Sequence, residues 1–488
     1  MRSFIVTLCI DRLWLLILLP MVYAHHRLHL LHTDGATSPL LAHGLGFGAL
    51  QHPRFWRTFD PHYLRVRNLL KALGPTMLRV GGSETEFVTF CPHCQPAKVS
   101  RNYQRSNFTD YNLTTVDVDN IFLLAEELDA QLLIDINVKK RDLKNDFDPS
   151  NLEQLLDYFK TKNHRDVWFQ LGNEPNAYRK KLHMYLSPAQ LAHDYSILQS
   201  ALNRNGFSRS LVFGPEVTSG KLVIDGELGI HPIKFMSDFL AAGGGALVNC
   251  VSWHHYYVNG KNAYISLFTD LDVLESFKEM VLDFRHQLTK WHVKKPMCLT
   301  ETGSAWGGGA YNLSDRYVSG FMLVDKLGLS GLQGVVKVTR QELVHGHYSL
   351  ISQDLSPNPD YWISVLYSRL VKHSGRVFEV NCPSCSRLNR LYAHEAADDR
   401  SLVIMALNLD RKNYFQASLS GNYSYESYCL SPDRGDLLTQ RVLLNGRMLA
   451  VSEEGNLPPL VSKKQQSIRL EPLTYGFFIV KDYLVNYY

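Results

Sequence analysis

The stretch VWFQLGNEPN, Val167 to Asn176, decides the fold class of this chain. Its first half is a short run of apolar and aromatic residues, which is typical of a buried strand. Its second half, Asn173-Glu174-Pro175-Asn176, is polar, so the strand ends where reactive side chains begin. A strand of this kind fits a fold whose chemistry lies at the carboxyl ends of its strands.

Seven further runs of the same kind occur along the chain: Gly44 to Leu50, Thr76 to Gly81, Gln131 to Asn137, Ser210 to Gly214, Val251 to Tyr257, Pro296 to Thr300 and Gly334 to Arg340. Helix-like stretches lie between them: Val116 to Leu128, Asn151 to Lys160, Pro188 to Asn203, Leu271 to Lys290 and Arg316 to Leu329. Eight strands that alternate with helices predict an α/β fold, a (β/α)8 TIM barrel over residues 41–365.

The pattern changes after residue 365 to strand-like segments separated by turns: Ser401 to Leu409, Tyr414 to Leu419, Arg441 to Leu449 and Ser467 to Val480. These segments predict a C-terminal β-sandwich over residues 366–488, packed on the barrel. The segment 25–40 is partly alternating and is expected to add a strand to the same sandwich.

The composition excludes several classes of protein. Of 488 residues, 45% are hydrophobic and 20% are charged, and the longest apolar run lies within residues 13–24. This excludes a disordered chain and a polytopic membrane protein. The formal net charge of +4 is too small to imply nucleic-acid binding, although it permits a polyanionic partner. We therefore expect no nucleic-acid partner and no integral membrane span.

Residues 1–24 are predicted to be a cleavable secretory signal peptide, because the apolar stretch ends in the small-residue pattern Val22-Tyr23-Ala24. An uncleaved anchor is the alternative, but about 20 apolar residues are normally needed to span a membrane. Four glycosylation sequons are compatible with secretion: Asn107, Asn112, Asn312 and Asn422. The chain is expected to be a glycoprotein that is secreted or extracellular, acting in the extracellular matrix, with a lysosomal location as the alternative.

Removal of the signal leaves an odd number of cysteines: Cys91, Cys94, Cys250, Cys298, Cys382, Cys385 and Cys429. At least one thiol is therefore free or pairs between chains. The two Cys-x-x-Cys pairs could form a four-thiolate zinc site, but disulfides among these pairs and Cys429 are favoured in an oxidising compartment. Cys250 and Cys298 lie in or beside apolar strands and are interpreted as buried free thiols.

Two strand ends carry a glutamate, Glu174 after strand four and Glu301 at the end of strand seven. Acid-assisted glycoside cleavage needs two such carboxylates, because one protonates the leaving oxygen while the other attacks the anomeric carbon. Asn173 can hydrogen-bond a sugar 2-hydroxyl. Arg79 on strand two and Tyr256 on strand six are expected to contact Glu301 and keep it ionised and oriented. An internal ion pair for Arg79 and a core position for Tyr256 are the alternatives.

Five segments carry a specific resemblance to a known family: Leu78 to Ser83, Gln170 to Asn176, Phe213 to Val217, Trp253 to Gly260 and Glu301 to Ala310. In this order they resemble the heparanase-like endo-β-glucuronidases of glycoside hydrolase family 79. The resemblance spans the barrel and, more loosely, the β module.

The resemblance implies Glu174 as the general acid/base, Glu301 as the nucleophile and retention of the anomeric configuration. It implies that the backbone N–H groups of Gly307 and Gly308 bind the glucuronate carboxylate. The other pocket residues that it implies are Asn173, His254, Tyr256, Gln341 and Tyr348. No metal or cofactor is expected.

Several residues depart from the family pattern. Gly48 stands where an acidic residue is expected, and Lys221 and Lys261 stand where arginines are expected. Both lysines remain substrate-binding candidates, but lysine lacks the bidentate fork that grips sulfate. The clusters Lys139-Lys140-Arg141 and Arg179-Lys180-Lys181 follow strands three and four and are expected to attract a sulfated chain to the catalytic face. Solvated surface charge is the alternative for each cluster.

The sequence therefore predicts a secreted retaining endo-β-D-glucuronidase that cleaves the heparan sulfate chains of proteoglycans. A hyaluronan-cleaving endo-β-glucuronidase is one alternative. A noncatalytic heparan-sulfate-binding protein is the other, and loss of either glutamate would be its sign. Only about 30 residues separate Glu86 from Val116, where vertebrate members of the family carry a long excised segment, so we expect a single-chain enzyme.

Overall fold

The computed structural model describes residues 4–10, 13–19, 25–52, 54–95, 110–218 and 230–485, with only the backbone described for the first two segments. Phe4–Ile10 and Leu13–Leu19 pair as a two-stranded antiparallel sheet. The predicted signal peptide covers residues 1–24, part of which lies outside the described residues. Within the described part of the chain, no helix is long and apolar enough to cross a membrane.

Eight parallel strands form a closed barrel, which confirms the predicted fold class. In chain order they are β1 (Leu40–Gly46), β2 (Thr76–Gly81), β3 (Ala130–Ile136), β4 (Val167–Leu171), β5 (Val212–Thr218), β6 (Cys250–Asn259), β7 (Met297–Trp306) and β8 (Val335–Arg340). Each strand pairs with the next along the chain, and β8 pairs with β1 to close the ring. All the carboxyl ends therefore surround one face of the barrel.

One principal helix follows each strand: α1 (Leu64–Lys71), α2 (Thr115–Glu127), α3 (Ser150–Thr161), α4 (Pro188–Arg204), α5 (Pro232–Ala241), α6 (Leu271–Lys290), α7 (Ser319–Leu332) and α8 (Pro359–Leu370). Helix α2 begins at a capping box, in which Thr114 and Asp117 exchange side-chain and backbone hydrogen bonds. Helix α8 continues to Leu370, beyond the predicted barrel limit at residue 365.

The first strand lies earlier than predicted. The prediction over Gly44 to Leu50 was wrong, because the strand is Leu40–Gly46 and Phe47–Leu50 is one helical turn. Every residue from 41 to 50 is buried, so apolar character continues across the boundary and cannot mark it. Strands β5 and β7 extend further than predicted at their carboxyl ends, so Glu216 and Glu301 lie inside strands.

The C-terminal part forms an antiparallel sheet region of short strands: β9 (Arg376–Asn381), β10 (Asn389–Glu395), β11 (Leu402–Asn408), β12 (Phe415–Leu419), β13 (Tyr425–Pro432), β14 (Val442–Leu444), β15 (Arg447–Met448), β16 (Lys463–Gln465), β17 (Ile468–Leu470) and β18 (Thr474–Val480). The N-terminal strand His26–Thr37 pairs antiparallel with β9 and parallel with β12. Leu28, Phe378, Ile404 and Phe415 share one buried core, which gives the region its sandwich character.

Helix α7 joins the two parts of the molecule, since all of its residues up to Gly331 are buried between barrel and sandwich. Its glycines allow this close approach. A Cβ at Gly328 would overlap the Tyr392 ring of β10, and a Cβ at Gly320 would overlap the Tyr475 ring of β18. The two tyrosine rings of the sandwich therefore pack directly on the helix backbone at these points.

Three disulfides are formed: Cys91–Cys94, Cys250–Cys298 and Cys382–Cys385. The prediction of free thiols at Cys250 and Cys298 was wrong. Neighbouring strands β6 and β7 bring their Cα atoms to 6.1 Å, although 48 residues separate them along the chain. Cys429 is the free cysteine of the described residues, and it does not pair with either Cys-x-x-Cys motif.

Candidate active site

The carboxyl ends of the barrel strands surround a cavity of about 500 Å³. Eight of the residues predicted from sequence line it: Glu174, Tyr256, Lys261, Glu301, Gly307, Gly308, Gln341 and Tyr348. Arg79, Asn173 and His254 are at most 2% exposed. Arg79 bonds to Glu301 and His254 to Glu174, while Asn173 accepts a hydrogen bond from Arg79. The prediction for Lys221 lies outside the described residues.

Glu301 is held by two donors, one at each carboxylate oxygen. Arg79 Nη1 donates to Glu301 Oε2 at 2.6 Å, and the Tyr256 hydroxyl donates to Oε1 at 2.7 Å. Tyr256 lies on the adjacent strand β6, and Arg79 reaches across the barrel from β2. The carboxylate is therefore fixed in one orientation, as a nucleophile requires.

Arg79 organises the floor of the cavity through four side chains. Besides Glu301, it donates to Gln170 Oε1 at 2.8 Å, to Asn173 Oδ1 at 2.9 Å and to Asp135 Oδ2 at 3.3 Å. With Oδ1 so engaged, the Asn173 Nδ2 group has no hydrogen-bond partner among the described residues. A buried amide without a partner is a donor ready for a sugar hydroxyl.

Glu174 sits at the turn after β4 in a left-handed backbone conformation, with φ of 58°. This sparsely populated conformation costs of order 1–3 kcal/mol and is typical of functional sites. The turn aims the carboxylate at two cations. Lys181 Nζ contacts Oε2, and His254 Nδ1 lies 3.0 Å from Oε1.

The charges around Glu174 favour its ionised form in the empty cavity. Burial alone would raise the pKa of Glu174, but the Lys181 ammonium and the His254 contact outweigh it and hold that pKa well below its ordinary value. His254 Nε2 also lies 2.8 Å from Glu216 Oε2. Burial would lower the pKa of His254, but Glu301 and the bonds to Glu174 and Glu216 raise it to about 9.

The two glutamates face each other closely. A carboxylate oxygen of Glu174, one of Glu301 and a ring nitrogen of His254 all lie within 4.8 Å of one another. Retaining glycosidases hold their two carboxyl groups about 5–5.5 Å apart, whereas inverting enzymes leave room for a water and space them by about 6.5–9.5 Å. The arrangement is suited to a double displacement.

The loop after β7 presents backbone groups to the same cavity. Gly307 and Gly308 have φ values of 78° and 85°, a conformation that glycine adopts at no steric cost. Gly309 lies against the Tyr348 backbone, and a Cβ there would come within 2.7 Å of its nitrogen. The Tyr348 ring stacks on Tyr256, with 6.2 Å between the ring centroids.

The basic clusters are less available than the sequence suggested. Arg141 is paired with Asp194 at 2.6 Å, and Lys181 is paired with Glu174. Lys180 and Lys261 are exposed and line the cavity. Of the basic residues that the structure describes in these clusters and sites, Lys180 and Lys261 are therefore the exposed ones that can bind an anionic substrate at the cavity.

Three carboxylates were missed by sequence reasoning: Glu84, Glu216 and Glu342. Glu216 carried a signal, because it lies within the Gly214-Pro215-Glu216 segment of a barrel strand. Glu84 and Glu342 follow strands β2 and β8 in loops, where a glutamate is ordinarily a solvated residue. The Glu84 carboxylate occupies the space next to Gly48, and a Cβ on that glycine would lie 2.6 Å from its Oε1.

Comparisons with known proteins agree with this geometry. Residues 58–328 match the family described as Glycosyl hydrolase family 79, N-terminal domain. Over 481 residues the chain is 31% identical to heparanase from Bos taurus, covering 88% of this chain and 86% of that one. Over 483 residues it is 29% identical to hyaluronoglucuronidase from Hirudo nipponia, covering 90% and 94%.

A solved structure shares the architecture. The 4-O-α-L-rhamnosyl-β-D-glucuronidase from Fusarium oxysporum 12S superposes with a TM-score of 0.68, covering 94% of this chain and 100% of that chain. The sequence identity is 12%, so this likeness concerns the fold alone.

Proposed function

The chain belongs to glycosyl hydrolase family 79, and from this premise we propose that it is a secreted, retaining endo-β-D-glucuronidase that cleaves heparan sulfate chains. The observation that carries the proposal is the approach of Glu174 and Glu301 within 4.8 Å across one cavity. A noncatalytic binding role is disfavoured, because both carboxylates are present and are bonded to side chains that orient them.

In the proposed reaction Glu301 attacks the anomeric carbon while Glu174 protonates the departing glycosidic oxygen. The resulting glycosyl-enzyme is then hydrolysed by a water that gives its proton to Glu174. Two inversions at the same carbon retain the configuration. Asn173 Nδ2 hydrogen-bonds the sugar 2-hydroxyl, a contact that strengthens as the ring gains oxocarbenium character.

Glu174 has to become protonated, although Lys181 and His254 favour its charged form. Because His254 has a pKa raised to about 9, it is charged at neutral and acidic pH and lies 3.0 Å from the Glu174 carboxylate. Binding of the glycosidic oxygen beside Glu174 would displace the Lys181 ammonium and remove the larger of the two cations' effects. Proton loading and substrate binding are thereby coupled.

The uronic acid would be recognised by its carboxylate. Gly307, Gly308 and Tyr348 line the cavity on the side of the β7 loop. Backbone N–H groups in a glycine loop bind anions well, because they approach closely and need no reorganisation.

Heparan sulfate is preferred as substrate because exposed Lys180 and Lys261 flank the cavity, where sulfates of neighbouring sugars would lie. Hyaluronan is the second candidate. Two observations favour it: Glu84 and Glu342 add negative charge to the same cavity, and the relative from Hirudo nipponia is a hyaluronoglucuronidase.

Secretion, or a lysosomal location, is part of the proposal. Of the sequon asparagines, Asn112, Asn312 and Asn422 are exposed, and Asn107 lies outside the described residues. A shift in apparent mass after enzymatic removal of N-glycans would support the proposed secretion. Without such a shift, only the predicted signal peptide would support secretion.

The decisive experiment incubates the purified protein with heparan sulfate and with hyaluronan and sizes the products. Shortened heparan sulfate with a retained anomeric configuration by NMR is the expected result. Glu301→Gln should abolish turnover while leaving binding intact. Glu174→Ala should slow substrates with poor leaving groups by about 10²- to 10⁴-fold, and activated aryl glucuronides far less. Full activity of Glu301→Gln would contradict the assignment.

A further inference from the structure

We propose that Glu84 determines specificity in this cavity: its carboxylate binds sugar hydroxyls and repels sulfate at the same place. The inference rests on the proposed function and deepens it, since it names the substrate as a stretch of chain that is unsulfated where it contacts Glu84. Sulfates on more distant sugars would still meet Lys180 and Lys261 at the rim.

The position of the carboxylate comes from the glycines around it. Glu84 follows β2, and its Oε1 lies where a side chain on Gly48 would begin, 2.6 Å from an ideal Cβ. A Cβ on Gly82 would lie 3.5 Å from Oε2. At Gly48 and Gly82 the wall between the β1 and β2 loops carries no side chain, and Glu84 projects into the space that these glycines leave.

Glu84 lines the same cavity as both catalytic glutamates, so a sugar bound in the cavity can contact it. A nearby ammonium, that of Lys181, favours the charged form of Glu84 but is shared with Glu174. Lys181 Nζ donates to Ser83 Oγ at 3.3 Å, next to Glu84, but the same ammonium is bound to Glu174. The Glu84 carboxylate accepts the backbone N–H groups of Glu84 and Gly48. Its remaining lone pairs can accept ligand hydroxyls, which are the groups that carboxylates bind in carbohydrate sites.

Glu342 strengthens the effect from the other side of β1. Its Oε2 accepts the Gly46 N–H at 3.0 Å, and it lines the cavity with Glu84. A sulfate placed between two carboxylates would be repelled by both, whereas a hydroxyl would be bound. The charge of Glu84 and Glu342 is opposite to that of exposed Lys180 and Lys261, which line the same cavity.

The test compares heparan sulfate with its own unsulfated backbone, the polymer of glucuronate and N-acetylglucosamine that has the same linkages. Wild-type enzyme should cleave both polymers, and heparan sulfate only within its unsulfated stretches. Glu84→Gln should shift the ratio of the two kcat/KM values toward heparan sulfate by about tenfold, and Glu84→Lys further, because hydrogen bonds to charged groups and like-charge contacts are each worth at least that factor. Glu279→Lys, an equal charge change on exposed helix α6, is the matched control and should leave the ratio unchanged.

Cleavage of an aryl glucuronide distinguishes a failure of the proposed function from a failure of the proposed role of Glu84. If the wild type cleaves no glucuronide, the proposed function fails. If it cleaves them and the ratio is unchanged, or moves toward the unsulfated polymer, in both folded Glu84 variants, the role of Glu84 is overturned while the function stands. Circular dichroism melts show that each variant is folded before the ratio is taken.

Discussion

At the scale of single residues, Lys181 sets the protonation of the proposed acid. Glu174 must carry a proton to act, and its lowered pKa makes it lose that proton as pH rises. Lys181→Met should raise the pKa of Glu174 by about 1–3 units, the usual effect of one opposite charge at contact distance. The basic limb of the kcat/KM profile should therefore move to higher pH.

The control for this prediction is Lys180→Met, which removes a neighbouring, exposed ammonium that does not contact Glu174. Its pH profile should keep the wild-type shape, even if its KM for heparan sulfate rises. A basic limb that stays in place in Lys181→Met would show that this cation does not control the acid.

Cys429 is a second residue for which the structure makes a prediction, because the reactivity of its thiol can be measured. Burial raises the pKa of its thiol to about 12, so it remains a protonated and poorly reactive thiol at pH 8. We expect a thiol reagent to find no rapidly reacting group in the native mature protein and one group in denaturant. Three groups in denaturant would mean that one of the three disulfides is not formed.

Sequence and structure differ most at this scale. Arg79 and Tyr256 could be named in advance, because they lie on predicted barrel strands whose ends meet the carboxylates, and His254 was named through the family resemblance. Glu84 and Glu342 could not be named, because they belong to loops whose course depends on contacts with Gly46 and Gly48 that no local pattern encodes.

At the scale of elements, helix α7 should tolerate no added atoms on its sandwich face. Gly328→Ala would normally favour a helix by up to about 1 kcal/mol. Here the new methyl group would overlap the Tyr392 ring, so we expect a loss of about 1–3 kcal/mol in the free energy of unfolding. Chemical denaturation measures it.

Ser330→Ala, on the same helix, adds no atoms and serves as the control for the glycine substitution. Unchanged or increased stability in Gly328→Ala would indicate that Tyr392 moves aside at little cost.

The elements themselves were largely predictable. Helix α6 has the predicted limits, and strands β2, β3 and β4 lie within one residue of them, because their apolar runs are bounded by polar residues. The carboxyl end of β1 was not predictable, because buried residues continue into the following helical turn. The Cys250–Cys298 bond likewise depends on strand neighbours that only the closed barrel reveals.

At the scale of the whole molecule, the chain is expected to act uncut. The segment between β2 and α2 is pinned at both ends, because Val88–Phe90 pairs with Tyr111–Leu113 and Cys91 bonds to Cys94. We expect one polypeptide on a denaturing gel to carry full activity. Activity found only in a preparation with two associated fragments would contradict this.

The N-terminal strand His26–Thr37 has a consequence for synthesis of the protein. It is made before every other strand of the sandwich, yet its partner β9 begins about 340 residues later. At about 5–20 residues per second, a ribosome needs about 20 to 70 s to make that intervening chain. During this interval the strand has no partner from the sandwich, and helix α7 has no cover over its sandwich face. The molecule therefore cannot complete its fold while it emerges, and its final closure joins the earliest and latest parts of the nascent chain.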